Sequence, residues 1–539
     1  MKKIALISVY HKDGITEFAK NLNSLGFDIL ASGRTARHLK TAGVPVTDVA
    51  SLVGGEAILG HRVVTLSREV HAGLLATRTD IDIAEMEKLG LPYIDLVCVD
   101  LYPLQTEIDK PDSTSKTVIE QTDIGGPTLL RSAAKGRRIV VCDPDDRGKV
   151  IAWLSNGSPD EAEFVNALAA KAEYIVSEYC LISARYHSQG EYEGLIGKKV
   201  ISCKYGENGY QSPAALYESA NCEDALAISK FKLVAGDSPS YNNLCDIDRL
   251  LQTLTHIANT FVINQRKTVF IAIGVKHGNA CGAGIDFEDP KIALEKMLNG
   301  DPVSLFGGLI MTNFTITKDL ANTIITNQLG TKRLLDGIIA PLFCSEAIEI
   351  LSRKKGKCRL LANPRLFSVN EKSVSEKMDK APIYRSVRGG FLLQPNYLFI
   401  LNLSDASVAK HGYNLDEFEE HDLLLAKAIC DTSNSNTITL VKNGQLIGNG
   451  VGQQSRVRAA KFAIAIALEC GHNPEGAVAA SDSFFPFVDG PATLLQSGIN
   501  AIVTTSGSVR DQEVIDFCIE NCISLLMTPD ISSRGFYNH

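Results

Sequence analysis

The chain has 539 residues, of which 45% are hydrophobic, 22% charged and 7% aromatic, and its net charge is −8 at pH 7. At roughly 150 residues per domain this predicts about three or four domain-sized units, enough to bury cores without staples. The acidic balance gives no basic footprint for nucleic acid or an anionic membrane, and no apolar run approaches the ~18 residues of a membrane span, so neither partner is expected.

The opening string MKKIALISVYHKDG holds an apolar run too short for a signal-peptide core, which predicts a cytoplasmic protein. Residues 4–9 read as a short buried strand. After Asp13 and Gly14, a helical stripe of Phe18, Ala19, Leu22 and Leu25 runs to Gly26. Residues 27–31 form a second strand, and Ser32-Gly33-Arg34-Thr35 opens a helix that stops at Gly43. Further strands are predicted at 97–101 and 139–142, with a helix over 128–135 between them. Such alternation predicts a parallel sheet covered on both faces, with ligands at the strand-to-helix turns. Residues 150–195 read as helices, through 164–170 and 174–186. The glycine-rich stretch 190–197 marks the boundary between domains 1–195 and 196–539. The second domain mixes α and β, and it contains many polar, glycine-dense strings but no short-period repeat.

The thirteen cysteines stand singly from Cys98 to Cys522 without a C-x-x-C pair, which predicts reduced thiols packed as small hydrophobes. No metal-ligand spacing occurs, so no metal is expected. Cys281 has no group to orient a thiolate pair and is discounted as a nucleophile.

Three places could carry chemistry. The turn Ser32–Thr35 offers amides and hydroxyls at a helix N-terminus, where a phosphate binds well, although many such turns only cap a helix. Lys12 could approach the same rim. Lys276-His277, after a strand over 269–275, could shuttle a proton and stabilise an oxyanion, or could simply be a solvated strand end. Asn434 and Asn436 precede a β-branched strand over 437–441 and a hairpin turn at Lys442-Asn443-Gly444, and either substrate contact or turn chemistry explains them. Phe484-Phe485-Pro486-Phe487 reads as core packing.

The strings SVYHKDG, ASGRTA, VHAGLLA, LYP, DIGGPTLLRSAAK, YGEN, SYNN, KHGNACG, DPVSLFGG, DGIIAP, SNSNT, GQQSR, SDSFFPF and GSVRD occur in that order over nearly the whole chain. Together they resemble the bifunctional purine-biosynthesis family that combines AICAR transformylase with IMP cyclohydrolase. The resemblance implies an α/β fold: a methylglyoxal-synthase-like parallel domain over 1–195, then two cytidine-deaminase-like units without the zinc signature over 196–539. It also implies a homodimer, 10-formyltetrahydrofolate as co-substrate, and AICAR, FAICAR and IMP as ligands.

Residue by residue, the resemblance implies His277 as base, Lys276 as oxyanion stabiliser and Asn436 as the group that orients formyl and amine. Lys204 and Tyr205 match positions that hold the substrate phosphate, with lysine where arginine is common. Asn242, Asp336, Arg456, Phe487, Asp489 and Arg534 match positions lining nucleotide or folate. A family histidine is Tyr210 here, and Ala280 replaces a proline. In the cyclohydrolase half, Tyr102, Asp123 and Lys135 match catalytic positions, Lys12, Ser32 and Thr35 match phosphate-binding turns, and Arg62 with Thr65 matches another part of the site. The family's R-V-K-T-L-H-P departs here: its lysine is Val64 and its His-Pro is Ser67-Arg68. A family serine is Tyr10, and a family glycine is Arg34. These departures predict a slowed cyclohydrolase, with a monofunctional transformylase whose first domain is a scaffold or nucleotide sensor as the alternative.

Overall fold

The computed structural model describes residues 3–59, 62–219, 222–265, 269–326, 332–370 and 378–537. The chain forms two compact units, Met1–Gly197 and Lys198–His539, so the boundary falls two residues past the expected 195.

The first unit is a five-stranded sheet of β1 (Lys3–Ser8), β2 (Phe27–Ala31), β3 (Thr47–Asp48), β4 (Leu96–Val99) and β5 (Ile139–Val141), in the order β3-β2-β1-β4-β5. Every pairing is parallel. Alternate residues of β1 serve opposite faces. Ala5 and Ile7 pack with Phe18, Leu22, Leu39 and Trp153, whereas Leu6 packs with Val70, Leu74, Leu129 and Val176. The helices expected at 164–170 and 174–186 are one continuous helix, Glu161–Ser188. Lys171, Ala172 and Glu173 are good helix formers that give no reason to break.

The second unit begins with a hairpin of β6 (Gly197–Cys203) and β7 (Ala214–Ser219). Its main body is a 12-stranded sheet made of two matching halves. The first half contains β8 (Lys232–Ala235), the helix Tyr241–Ile263, the hairpin β9 (Phe270–Lys276)–β10 (Asn279–Asp286), the helix Pro290–Leu298, then β11 (Leu309–Thr312), β12 (Gly337–Ala340) and β13 (Arg359–Ala362) with helices between them. A separate hairpin of β14 (Ile383–Val387) and β15 (Gly390–Gln394) follows. The second half repeats the plan: β16 (Ala409–His411), the helix Glu417–Cys430, the hairpin β17 (Ile438–Lys442)–β18 (Gln445–Gly450), the helix Arg456–Glu469, then β19 (Val478–Ser481), β20 (Ala501–Ser506) and β21 (Ser524–Pro529).

The sheet order, β16-β21-β20-β19-β17-β18-β10-β9-β11-β12-β13-β8, mirrors itself about the β18·β10 pairing. Equivalent glycines let each hairpin lie flush on its own following helix. A Cβ on Gly282 would run into the Met297 carbonyl, and one on Gly448 into that of Ala463. The repeat has no counterpart in the short-period search, because the halves share topology more than sequence.

Candidate functional site

In the first unit the polar groups gather beyond the C-terminal ends of β1, β2 and β4, where the strand order reverses. Ser32 precedes the helix Gly33–Thr41 without capping it, which leaves the first amides open to an anion. Its Oγ lies 2.9 Å from Ser8 Oγ. Thr35 is buried and its hydroxyl donates to the Val9 carbonyl at 3.3 Å. The Lys12 amine donates to the carbonyls of Val9 and Tyr10. Burial lowers its pKa, Asp100 pulls it back up, and Arg34 adds to the fall.

The rim continues through Asp100 and Tyr179, which were not singled out in advance, beside Tyr10, Tyr102, Asp123 and Thr65, which were. Asp100 accepts the amides of Tyr10 at 2.6 Å and His11 at 3.0 Å, fixing the turn after β1. The Tyr10 ring meets Tyr102 edge-on at 5.4 Å. Asp123 accepts the Gly126 amide at 2.8 Å and those of Tyr102 and Gly125, yet burial still raises its pKa. Its own amide donates to the Tyr179 hydroxyl at 2.7 Å. Thr65 is buried beside Gly125, where an added Cβ would lie 3.2 Å from Thr65 Oγ1. Lys12, Ser32, Thr35, Thr65, Tyr102 and Asp123 therefore share one crevice.

The other expected residues lie apart from it. Lys135 is exposed in the last turn of Gly125–Lys135, the helix that begins just after Asp123. At 1.5 Å per residue the two are about 15 Å or more apart along the axis. Within one chain the structure does not bring Lys135 to Asp123. Arg62 is exposed and pairs with Glu120 at 2.6 Å. Val64 packs against the core around Val70 and Leu129, and Ser67 caps the helix Arg68–Leu75 by accepting the Val70 amide at 3.2 Å. Arg68 is exposed, 3.5 Å from Glu69.

In the second unit, Lys276 ends β9 and Asn279 begins β10, so His277-Gly278 is a two-residue turn with positive φ at both positions, 52° and 71°. This is the type I′ hairpin geometry that suits the twist of paired strands. The Lys276 amine donates to the Phe306 carbonyl at 2.6 Å, and His277 is exposed. Asn279 Oδ1 accepts the Asn434 amide at 3.0 Å, tying the turn to the segment that carries Asn436. Asn436 Nδ2 donates to the Gln453 carbonyl at 2.7 Å.

A buried carboxylate, Asp482, organises that segment. It accepts the Ser435 hydroxyl at 2.5 Å and the Thr437 amide at 3.1 Å, and pairs with Arg456 at 3.3 Å. Burial raises its pKa against the pull of Arg456. Arg456 and Arg534 both face the Phe536 ring, at 5.7 and 5.1 Å, and Arg534 is also held by Asp530. Asp336 donates its amide to the Gly308 carbonyl at 3.0 Å, next to Lys276. Asn242 Nδ2 donates to the Glu207 carbonyl at 3.3 Å, linking its helix to the loop of Lys204 and Tyr205.

A cavity of about 330 Å³ opens at this turn, lined by Lys276, His277, Asp301, Ser304, Asn449 and Phe462 among others. Cys281 also lines it, but burial pushes its thiol up to about 12, which keeps it protonated and inert. Phe485 is buried, as core packing predicts, whereas Phe487 is exposed with the Arg510 guanidinium 4.8 Å from its ring centre. Tyr210 and Asp489 are exposed. Among the described residues no group of side chains could hold a metal ion, and no helix is long and apolar enough to cross a membrane.

Comparison with known proteins identifies the family. Residues 14–128 match the MGS-like domain model, and residues 133–466 match that of the AICARFT/IMPCHase bienzyme. The bifunctional purine biosynthesis protein PurH of Oceanobacillus iheyensis is 36% identical over 537 residues, covering 98% of this chain and 99% of the relative. That of Aquifex aeolicus is 35% identical over 535 residues, with 97% and 98% covered. The crystal structure of ForH matches 35% of this chain and 100% of its own at 34% identity, but with a TM-score of 0.32 it bears no weight. With both family models matched and relatives aligned end to end, the chain belongs to the AICARFT/IMPCHase bienzyme family, the bifunctional purine biosynthesis proteins that combine AICAR transformylase with IMP cyclohydrolase.

Proposed function

We propose that residues 198–539 transfer a formyl group from 10-formyltetrahydrofolate to AICAR and that residues 1–197 close the product, FAICAR, to IMP, in a cytoplasmic homodimer. The observation that carries this reading is the Lys276–Asn279 turn, tied through Asn279 and Asn434 to the segment of Asn436 beside an open cavity.

The AICAR amine is conjugated to its ring and is a poor nucleophile, so its attack needs a base and a cation. The nitrogen attacks the formyl carbon, His277 takes the amine proton, and Lys276 balances the tetrahedral oxyanion. Breakage of the bond to the folate nitrogen, which receives the proton, releases tetrahydrofolate and FAICAR. Asn436 orients formyl and amine. Lys204 and Tyr205 hold the phosphate, and Asn242, Asp336, Arg456, Phe487, Asp489 and Arg534 line nucleotide and folate. The exposed apolar ribbon of Phe391, Leu392 and Leu393 on β15 supports a homodimer that covers it.

In the first unit, Ser32, Thr35 and Lys12 hold the phosphate. Asp123 and Tyr102 serve ring closure, in which the carboxamide nitrogen attacks the formyl carbon and water leaves. Protein given FAICAR alone is expected to form IMP faster than a no-enzyme control; a rate equal to the control would overturn the cyclohydrolase half. Val64→Lys restores a cation at the position next to Thr65, where the family carries lysine, and is expected to raise the closure rate about 10- to 100-fold. An unchanged rate in that assay would mean the absent lysine is not what limits closure.

A further inference from the structure

The catalytic turn has a twin. Lys276-His277-Gly278-Asn279 joins β9 to β10, and Lys442-Asn443-Gly444-Gln445 joins β17 to β18 at the matching place in the second half. The φ angles of His277 and Gly278 are 52° and 71°, and those of Asn443 and Gly444 are 54° and 72°. Both lysines are held alike: Lys276 donates to the Phe306 carbonyl and Lys442 to that of Glu475, each at 2.6 Å.

A buried aspartate from the first long helix of each half clamps each turn. Asp422, on Glu417–Cys430, accepts the amides of Asn443 and Gly444 at 2.6 Å each. Asp246, on Tyr241–Ile263, accepts the Gly278 amide at 2.7 Å and that of His277 as well.

The two turns differ in what the clamp must hold. Asn-Gly is the pair a type I′ turn favours, because asparagine tolerates positive φ. Histidine fits that position less well. The first turn therefore departs from its own local preference at the one residue assigned a proton-transfer role, which marks functional rather than structural selection. The surroundings differ too. A Cβ on Gly444 would lie 3.1 Å from Lys296 Nζ, so that amine crowds the second turn. The equivalent helix position at the first turn is Phe462, which lines the open cavity.

We propose that Asp246 is a positioning residue for formyl transfer: by accepting the His277 and Gly278 amides it fixes the left-handed turn that aims the imidazole into the cavity. This rests on the reading of His277 as the base. At the mirrored turn Asp422 performs the same clamping with no chemistry to serve, so it is a built-in control. Asp246→Asn keeps the shape but turns one acceptor into a donor facing an amide.

The test compares Asp246→Asn, Asp422→Asn and His277→Ala in the full chain, using AICAR and 10-formyltetrahydrofolate and recording thermal unfolding alongside. Asp246→Asn is expected to lose about 10- to 100-fold in kcat, with KM for AICAR within about threefold. Asp422→Asn is expected to lower the unfolding temperature comparably and leave kcat unchanged. Equal kcat values in the two aspartate variants, with His277→Ala inactive, would overturn the positioning role alone. Turnover by His277→Ala at the wild-type rate would overturn the base assignment and the positioning role together. If Asp246→Asn does not fold, Asp246→Glu, which keeps both acceptors but displaces them, is read the same way: a kcat loss at steady KM supports the role, and an unchanged kcat overturns it.

Discussion

Replacing His277 with alanine is expected to slow formyl transfer by about 100- to 10,000-fold, the range for removing a positioned general base, while FAICAR still closes to IMP at the wild-type rate. The separation follows from the architecture. His277 lies in the unit Lys198–His539, whereas the crevice of Asp123 and Tyr102 is built wholly from Met1–Gly197. The variant should still fold, since His277 is exposed and alanine removes no buried contact, with only a small loss of stability from alanine at a φ of 52°. Release of tetrahydrofolate with AICAR as acceptor and IMP formation from FAICAR, assayed separately, check the two halves. A parallel loss of both activities would mean the substitution unfolds the chain, and no loss in the first would remove His277 from the mechanism.

Lys427→Met should strongly destabilise the second unit. Lys427 and Asp431 form an i,i+4 pair at 2.6 Å, with side chains only 1% and 3% exposed. Removing one partner leaves a buried carboxyl without its cation and costs about 3–5 kcal/mol. Burial already pushes the Asp431 carboxyl up to about 6 despite the adjacent ammonium, and loss of that ammonium raises it further. A carboxyl whose pKa is higher folded than unfolded, about 3.9 in the free chain, binds more protons in the native state. Its contribution is full below the unfolded value and is lost as pH rises through the folded one. The drop in unfolding temperature should therefore be larger at pH 8 than at pH 5. A double change, Lys427→Met with Asp431→Leu, should regain much of the loss because no charge is then stranded. Equal losses at both pH values would show that packing of the lysine stem, not its charge, matters.

Both sites contain residues whose sequence setting announces them and others that nothing local reveals. The strands of the first unit stand out by their short apolar runs, and Ser32 and Thr35 by the strand-to-helix turn they occupy. Lys442-Asn443-Gly444 declares its hairpin because Asn-Gly is a turn pair. The carboxylates that hold the sites together are a different matter. Asp100 reaches back 90 residues to Tyr10, Asp246 reaches 32 to Gly278, and Asp482 reaches 45 to Thr437. No periodicity records such distances, since each bond forms only once the sheet has assembled. Lys135 shows the converse: a motif keeps a residue in sequence, but the helix it ends carries it away from Asp123 in space. The two units over 196–539 follow from the resemblance and not from any internal repeat, because pairing order and helix placement recur while side chains have diverged, leaving traces such as KHGN and KNGQ at the matching turns.

The midline of the 12-stranded sheet sets a condition on how this unit can change over time. β10 and β18 meet antiparallel there, with Gly284 opposite Gln445. Each would otherwise be a bare edge, and a bare edge recruits strands from other chains. Either copy is thus a shield against self-association for its sibling. A lineage can let the Lys442-Asn443 turn go without chemistry, because the strand beside it still covers its sibling's edge. It cannot discard that copy, or move it elsewhere in the gene, without exposing the surviving half to aggregation.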